Sequence, residues 1–305
     1  MLKTNSIKED NQKINLAVRL PNWIGDALMT FPMLKSLEKA GIDFTCIGHP
    51  WAKDIFSGEN FKIIVSSDVK KVKWALRIYK EHKFNYGIVC PNTFSATLPM
   101  RLSKIETIGY HWLSGIRSKY ESSVHTVENY FELGRPFFDE IKNTSFSQDT
   151  ITIPPTSLVE SSKIIKELGT PFIIICPYAS NLHKGENKEW PYWMSFCHKF
   201  DKCKIVALVS SDDEDRCKKE FPHLTVVSSN LSVTGAVMKS AKYVIANDSG
   251  AMHLASFYGA SIIGLFGVTE IHKTRPWYGT YLIGKNQEFI SDKELIQFLN
   301  KKSFN

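Results

Sequence analysis

Residues 243–269 read YVIANDSGAMHLASFYGASIIGLFGVT, and the order of elements in this stretch decides the fold. Tyr243 to Ala246 is a short apolar strand, and Asn247-Asp248-Ser249-Gly250 is a polar tight turn. The pattern predicts a short helix over Ala251 to Tyr258, with Gly259 where a C-cap belongs. A second apolar strand, Ser261 to Phe266, stops at Gly267. The turn therefore opens a helix, whose first amides lack intrahelical partners and whose dipole places partial positive charge at that end. Such a turn suits a phosphate, and Ser249 and Gly250 leave the backbone open to close approach. A carboxylate is out of place beside a phosphate, so Asp248 is expected to face another part of the ligand, such as sugar hydroxyls. The plainer alternative is that Asp248 or Ser249 only caps the helix, and the turn alone does not exclude it.

Composition bounds the rest. A chain of 305 residues has room for two domains of ordinary size, and 43% hydrophobic with 23% charged residues suffices for a globular core. A formal charge of +7 and a pI near 8.9 favour anionic partners. No Arg-rich run or aromatic RNA-binding motif is present, so nucleic acid is not expected among them. Cysteines 46, 90, 176, 197, 203 and 217 form no CxxC pair and no zinc spacing. Cys46, Cys90 and Cys176 lie in or at the ends of apolar strand-like runs, as small hydrophobes in a reducing cytosol would. The opening MLKTNSIKEDNQK has no apolar signal core. No apolar run approaches the ~20 residues that span a bilayer, so any membrane contact is expected to be peripheral.

The first half repeats the alternation. Ile14 to Leu20 reads as a buried strand that runs into Pro21-Asn22-Trp23-Ile24-Gly25-Asp26. A helical pattern of Leu28, Phe31, Leu34 and Leu37 follows and ends at Gly41, with Pro32 requiring either a bend or a late start. Asp26 is expected in a loop just past the strand's carboxyl end, where ligands collect in open parallel sheets. It is a candidate general base, and equally a helix cap. Strands are read at Asp43 to Gly48, Phe61 to Val65, Tyr86 to Cys90 and Glu106 to Tyr110. Helices are read at Val72 to His82, Ser95 to Leu102 and His125 to Leu133. This alternation predicts an α/β fold, a parallel sheet with helices on both faces. Residues 111–125 carry His111, Arg117, Lys119 and His125 and read as a solvated surface, with an anionic acceptor as the alternative. Polar Asp139 to Pro155 is the candidate linker.

In the second half, a helix over Ser157 to Leu168 ends at Gly169, and Phe172 to Cys176 is a dense apolar strand. The segment PYASNLHKGENKEW, Pro177 to Trp190, has no core-forming pattern, and Pro191 opens a helix to about Phe200. It carries Ser180, Lys184 and Lys188 beyond a strand's carboxyl end, where a lysine can neutralise a phosphate. The strand Lys204 to Val209 ends in an acidic cluster, Asp212 to Asp215. Its DxD spacing is read as a helix start favoured by the dipole, not a metal site, with one member free to accept from ribose hydroxyls. A basic-aromatic segment, His272 to Trp277, borders the site or lies on the surface. Ser291-Asp292-Lys293-Glu294 is a capping box that opens a last helix to about Lys301.

In order and spacing, three motifs resemble glycosyltransferase family 9, the bacterial ADP-heptose–lipopolysaccharide heptosyltransferases. They are PNWIGDALMTFPML from Pro21, KEWP from Lys188 and NDSGAMHLASFYGASIIGLFG from Asn247. CPNTFSATL from Cys90 and IGYH from Ile108 are similar to the branch that adds the second heptose. The resemblance implies a GT-B architecture of two Rossmann-like domains with parallel sheets facing a central cleft. The expected division is an acceptor-binding domain over 1–150, a nucleotide-sugar-binding domain over 151–285, and a C-terminal helix over 286–305 that returns to the first domain. It implies an ADP-L-glycero-β-D-manno-heptose donor and a lipid A–Kdo–heptose type acceptor, met by a cytoplasmic enzyme peripheral at the inner face of the cytoplasmic membrane. By the same resemblance Asp26 is the general base, Lys188 pairs with the pyrophosphate, and Ser249, Gly250 and the following amides hold phosphate. Asp248 and His253 sit near the sugar-phosphate, Ser180 lines the donor site, and Asp213 contacts ribose.

The expected chemistry is inverting transfer by direct displacement, with Lys188 and the Ser249–Gly250 amides stabilising the departing ADP. A lysine and a helix terminus can carry this charge, so no metal and no cofactor is expected. Alternatives are a family 9 enzyme with another sugar donor or a protein or other glycan acceptor, a sugar-nucleotide epimerase of the same architecture, and a non-catalytic sugar-phosphate binding protein.

Overall fold

The computed structural model describes residues 13–138, 149–179 and 185–303. The chain divides into two compact units between Asp149 and Thr150. Most of the expected linker, from 139 to 148, lies outside the described residues.

The first unit holds β1 (Leu16–Arg19), α1 (Ile24–Met29), α2 (Phe31–Lys39), β2 (Phe44–Gly48), α3 (Trp51–Ile55), β3 (Lys62–Val65) and α4 (Val72–His82). It continues with β4 (Tyr86–Val89), α5 (Phe94–Leu102), β5 (Glu106–Gly109), β6 (Ile116–Arg117) and α6 (Thr126–Phe138). The six strands are parallel in the order β3-β2-β1-β4-β5-β6, with Leu16 opposite both Phe44 and Tyr86. Strand order reverses between β1 and β4, and ligands bind beyond the carboxyl ends of strands at such a reversal. The proline that a single helix could not hold stands in the first turn of α2, because Thr30 separates two short helices. A proline there removes no helical hydrogen bond. Gly41, at φ +69°, ends α2 as its sequence predicts. Two elements are additions to the predicted ones, α3 and the two-residue β6. The latter turns part of the basic 111–125 segment into an edge strand.

The second unit holds α7 (Pro155–Leu168), β7 (Phe172–Cys176), α8 (Trp193–Lys199), β8 (Lys204–Leu208), α9 (Glu214–Glu220), β9 (Thr225–Val227) and α10 (Leu231–Ser240). It then adds β10 (Tyr243–Asn247), α11 (Gly250–Phe257), β11 (Ile262–Phe266), α12 (Ile271–Thr274), β12 (Thr280–Ile283) and α13 (Asp292–Ser303). Its parallel sheet, β12-β11-β10-β7-β8-β9, repeats the topology of the first, so each unit is a Rossmann-like α/β sheet. The reversal lies between β7 and β10, which pair with Ala246 opposite Cys176. Strands β7 and β11 are buried throughout, the signature of a sheet covered on both faces. That double cover is why they read as unbroken apolar runs. Gly259, at φ +76°, follows the last turn of α11, where few other residues adopt that conformation without strain.

One expectation needs correction here. The segment ending at Trp190 does feed the core: Trp190 is 1% exposed and packs with Trp193, Phe196, Ile173 and Ile245. Its indole N–H donates to the Ile290 carbonyl at 2.7 Å. The C-terminal helix belongs to the second unit. Leu295 and Leu299 of α13 enter this same core, and Lys199 Nζ of α8 meets Asp292 at 2.6 Å. The capping box forms as its sequence predicts, Ser291 N–H donating to Glu294 at 2.8 Å and Glu294 N–H to Ser291 Oγ at 3.3 Å.

Candidate active site

In the second unit the candidate site gathers at the carboxyl ends of β7 and β10. Asp248 follows β10 and is 5% exposed. Its Oδ2 lies 3.6 Å from Lys188 Nζ and accepts from Thr274 Oγ1 at 3.2 Å. The Asp248 carboxylate is thus committed to a lysine and a hydroxyl rather than to capping α11. Ser249 holds the N-cap position by its extended backbone, yet its side chain makes no cap bond. Its buried Oγ has no hydrogen-bond partner among the described residues, and the same is true of His253 Nδ1 and Thr269 Oγ1. An unpaired buried polar atom costs about 1–3 kcal/mol, so Ser249 Oγ and His253 Nδ1, at the N-cap and in the first turn of α11, fit a polar ligand better than a closed core. Thr269, past the end of β11, was not among the residues singled out in the sequence. A hydroxyl in a loop carries no local signal that it will be buried.

His253 sits one turn into α11 and is 4% exposed. Burial pushes its imidazole down from 6.5 to about 4, Asp248 opposing the shift and Lys188 adding to it. The ring is therefore neutral at pH 7 and can donate or accept one hydrogen bond. The folded pKa lies below the unfolded one, so between pH 6.5 and about 4 the unfolded chain binds a proton that the folded chain refuses. Stability is fully present above that window and falls as pH falls through it. His253→Gln is expected to flatten the dependence of the thermal midpoint on pH between 6.5 and about 4. A midpoint that falls as steeply in the variant as in the parent would place the pH dependence elsewhere.

Lys188 is held by its neighbours. Glu189 accepts from the Ala179 N–H at 3.3 Å and from both terminal nitrogens of Arg216 at 3.1 and 2.9 Å. The Arg216 guanidinium lies 4.0 Å from the centroid of the Tyr178 ring. Asp213 stands beyond β8 in a short 3-10 turn, partly exposed, and accepts from Ser210 Oγ at 2.7 Å. Ser180 and Lys184 lie outside the described residues.

In the first unit, α1 begins at Ile24, so Asp26 is in the first turn of a helix rather than in the preceding loop. The dipole favours a carboxylate there. Asp26 is partly exposed, and its charge helps raise the pKa of Cys90 at the end of β4 and of Tyr130 on α6. For both groups burial is the larger cause; it pushes the Cys90 thiol up to about 12, with Arg19 opposing. Asp26 therefore stands at the β1/β4 reversal. Arg19, 2% exposed at the end of β1, donates to the Leu20 carbonyl and to Asn22 Oδ1 at 2.7 Å, bracing the segment that leads to α1. The basic stretch is mixed in character. Arg117 and Lys119 are exposed, whereas His125 is buried and its Nδ1 accepts from the Val127 N–H at 3.2 Å.

Comparison with known proteins gives the site its context. The model for glycosyltransferase family 9 (heptosyltransferase) matches residues 74–295. A Campylobacter jejuni protein, lipooligosaccharide heptosyltransferase 2, is 21% identical over 285 residues, covering 87% of this chain and 84% of the relative. The structure of Escherichia coli ADP-heptose lipopolysaccharide heptosyltransferase II superposes with a TM-score of 0.78 at 16% identity, over 94% of this chain and 98% of that one. E. coli heptosyltransferase WaaC with ADP superposes with a TM-score of 0.73 at 16% identity, over 95% of this chain and all (100%) of that one. The two Rossmann-like sheets match the GT-B-like fold of these structures. With the family model spanning most of the sequence, the chain belongs to glycosyltransferase family 9, the heptosyltransferases, and is a glycosyltransferase.

Proposed function

We propose that this enzyme moves a heptose from ADP-L-glycero-β-D-manno-heptose to the inner core of lipopolysaccharide, as the second heptose, by inverting displacement. The observation that carries this reading is the Lys188–Asp248 pair, 3.6 Å apart, at the turn that opens α11. A cation there is balanced by one buried carboxylate and can be shared with a diphosphate. Asp26 takes the proton from the acceptor hydroxyl while that oxygen bonds to the anomeric carbon. The bond from that carbon to the β-phosphate oxygen breaks, and ADP leaves. Lys188 and the first amides of α11 meet the negative charge that grows on the leaving phosphate. Ser249 Oγ and neutral His253 offer further hydrogen bonds to the sugar-phosphate, Ser180 lines the same donor site, and Asp213 accepts from ribose.

The names of the relatives support the donor and acceptor: a lipooligosaccharide heptosyltransferase 2 by sequence, and by fold an ADP-heptose enzyme and an ADP complex. An acceptor built on lipid A sits in a membrane, so the enzyme works peripherally at the inner face of the cytoplasmic membrane. No helix among the described residues is long and apolar enough to cross one. The test is mass spectrometry of products from a panel of nucleotide sugars, with a lipid A–Kdo–heptose acceptor present or absent. Addition of one heptose, from ADP-heptose alone and only with that acceptor, is the expected outcome. Transfer from a different nucleotide sugar, or donor consumption without acceptor, would overturn the assignment.

A further inference from the structure

The turn that carries Asp248 begins at Asn247, the last residue of β10, and this side chain is wholly buried. Its Oδ1 accepts from the Trp190 N–H at 2.8 Å. Its Nδ2 donates to the Pro177 carbonyl at 2.8 Å and to the Cys176 carbonyl at 3.4 Å. One side chain thus ties the start and the end of the segment that leaves β7 and returns at Trp190. Only a carboxamide meets this demand, because it offers an acceptor to the N–H and donors to the carbonyls at once. An aspartate would set lone pairs against two carbonyls, and an aliphatic residue would take away all three of these hydrogen bonds from buried backbone groups.

The residue before Trp190 in the same segment is gripped by charge. Glu189 takes a two-pronged contact from Arg216, at 3.1 and 2.9 Å, and Arg216 rests on the Tyr178 ring. Lys188 immediately precedes these two anchored residues. A lysine side chain is long and flexible, so the position of its ammonium depends on where the backbone is held. We infer that Asn247 and Arg216 are positioning residues for Lys188: they hold residues 189 and 190 by two separate contacts and so deliver the ammonium to Asp248 and the diphosphate.

This inference rests on the phosphate role proposed for Lys188, and the experiment separates the two. The probe is ADP, titrated by calorimetry against the full chain and against Asn247→Ser, Arg216→Gln and Lys188→Ala, alone and combined. Lys188→Ala alone tests the role of the lysine: ADP affinity is expected to fall about tenfold or more, the loss of one charge-assisted contact. An unchanged affinity there defeats that role, and the clamp with it. Given that loss, Asn247→Ser is expected to weaken ADP about tenfold and Arg216→Gln about threefold, since its contact is more exposed. In the Lys188→Ala background both effects are expected to shrink below about twofold, because their target is gone. A merely structural role would weaken ADP equally in both backgrounds, and that result, or no effect in either, overturns the clamp. If Asn247→Ser does not fold, the Arg216→Gln cycle decides alone, because that side chain lies on the surface.

Discussion

Asp26→Asn is expected to lower turnover by about three orders of magnitude while changing ADP affinity by less than about twofold. Asparagine keeps the shape of the side chain and removes its basicity, so an acceptor hydroxyl would keep its proton as it attacks. The structure supplies an internal control. Asp26 is also the acidic residue in the first turn of α1, where a carboxylate contributes about 0.3–1 kcal/mol through the helix dipole. If that were its whole purpose, the variant would show a small drop in thermal midpoint and near-normal kcat. Turnover within about threefold of the parent would therefore remove Asp26 from the base role, whatever happens to stability.

Lys188→Ala is expected to cost about two to three orders of magnitude in kcat/KM, and the loss has two origins. The first is the missing counter-charge for the departing diphosphate. The second is the Asp248 carboxylate left behind, whose side chain is 7% exposed and, among the described residues, would keep the Thr274 hydroxyl as its partner. A buried carboxylate without its cation repels a phosphate, so the substitution turns an attractive site into a repulsive one. Lys188→Ala combined with Asp248→Asn is therefore expected to regain part of the lost ADP affinity, although not the lost turnover. A double variant that binds ADP no better than Lys188→Ala would show that the carboxylate faces away from the phosphates. Lys188→Arg keeps the charge but replaces a compact ammonium with a planar fork, and is expected to fall between the two.

Much of this architecture is written in runs of neighbouring residues. Strands β7, β10 and β11 announce themselves because a sheet covered on both faces demands unbroken apolar stretches. Gly41 and Gly259 end their helices where positive φ is needed, and Ser291 with Glu294 forms the reciprocal cap that their spacing predicts. The turn at Asn247 and the acid after β1 are legible for the same reason: a polar residue just past an apolar strand can only be at a sheet edge. Strand β6, of two residues, is too short to show a period, and the burial of Trp190 has no local pattern at all.

The partnerships of the site belong to a different level. Lys188 meeting Asp248, and Asn247 holding Trp190 from 57 residues away, follow from β7 lying beside β10. Periodicity, caps and turns are short-range properties of the chain, so its residues by themselves determined alternating strands and helices in a parallel α/β arrangement, while the division into two Rossmann-like sheets came from the resemblance to a family. Which side chains meet at the strand ends was decided by strand order. Adjacency in a parallel sheet is reached through long crossovers, and only the packed structure brings the distant donors and acceptors within hydrogen-bonding range.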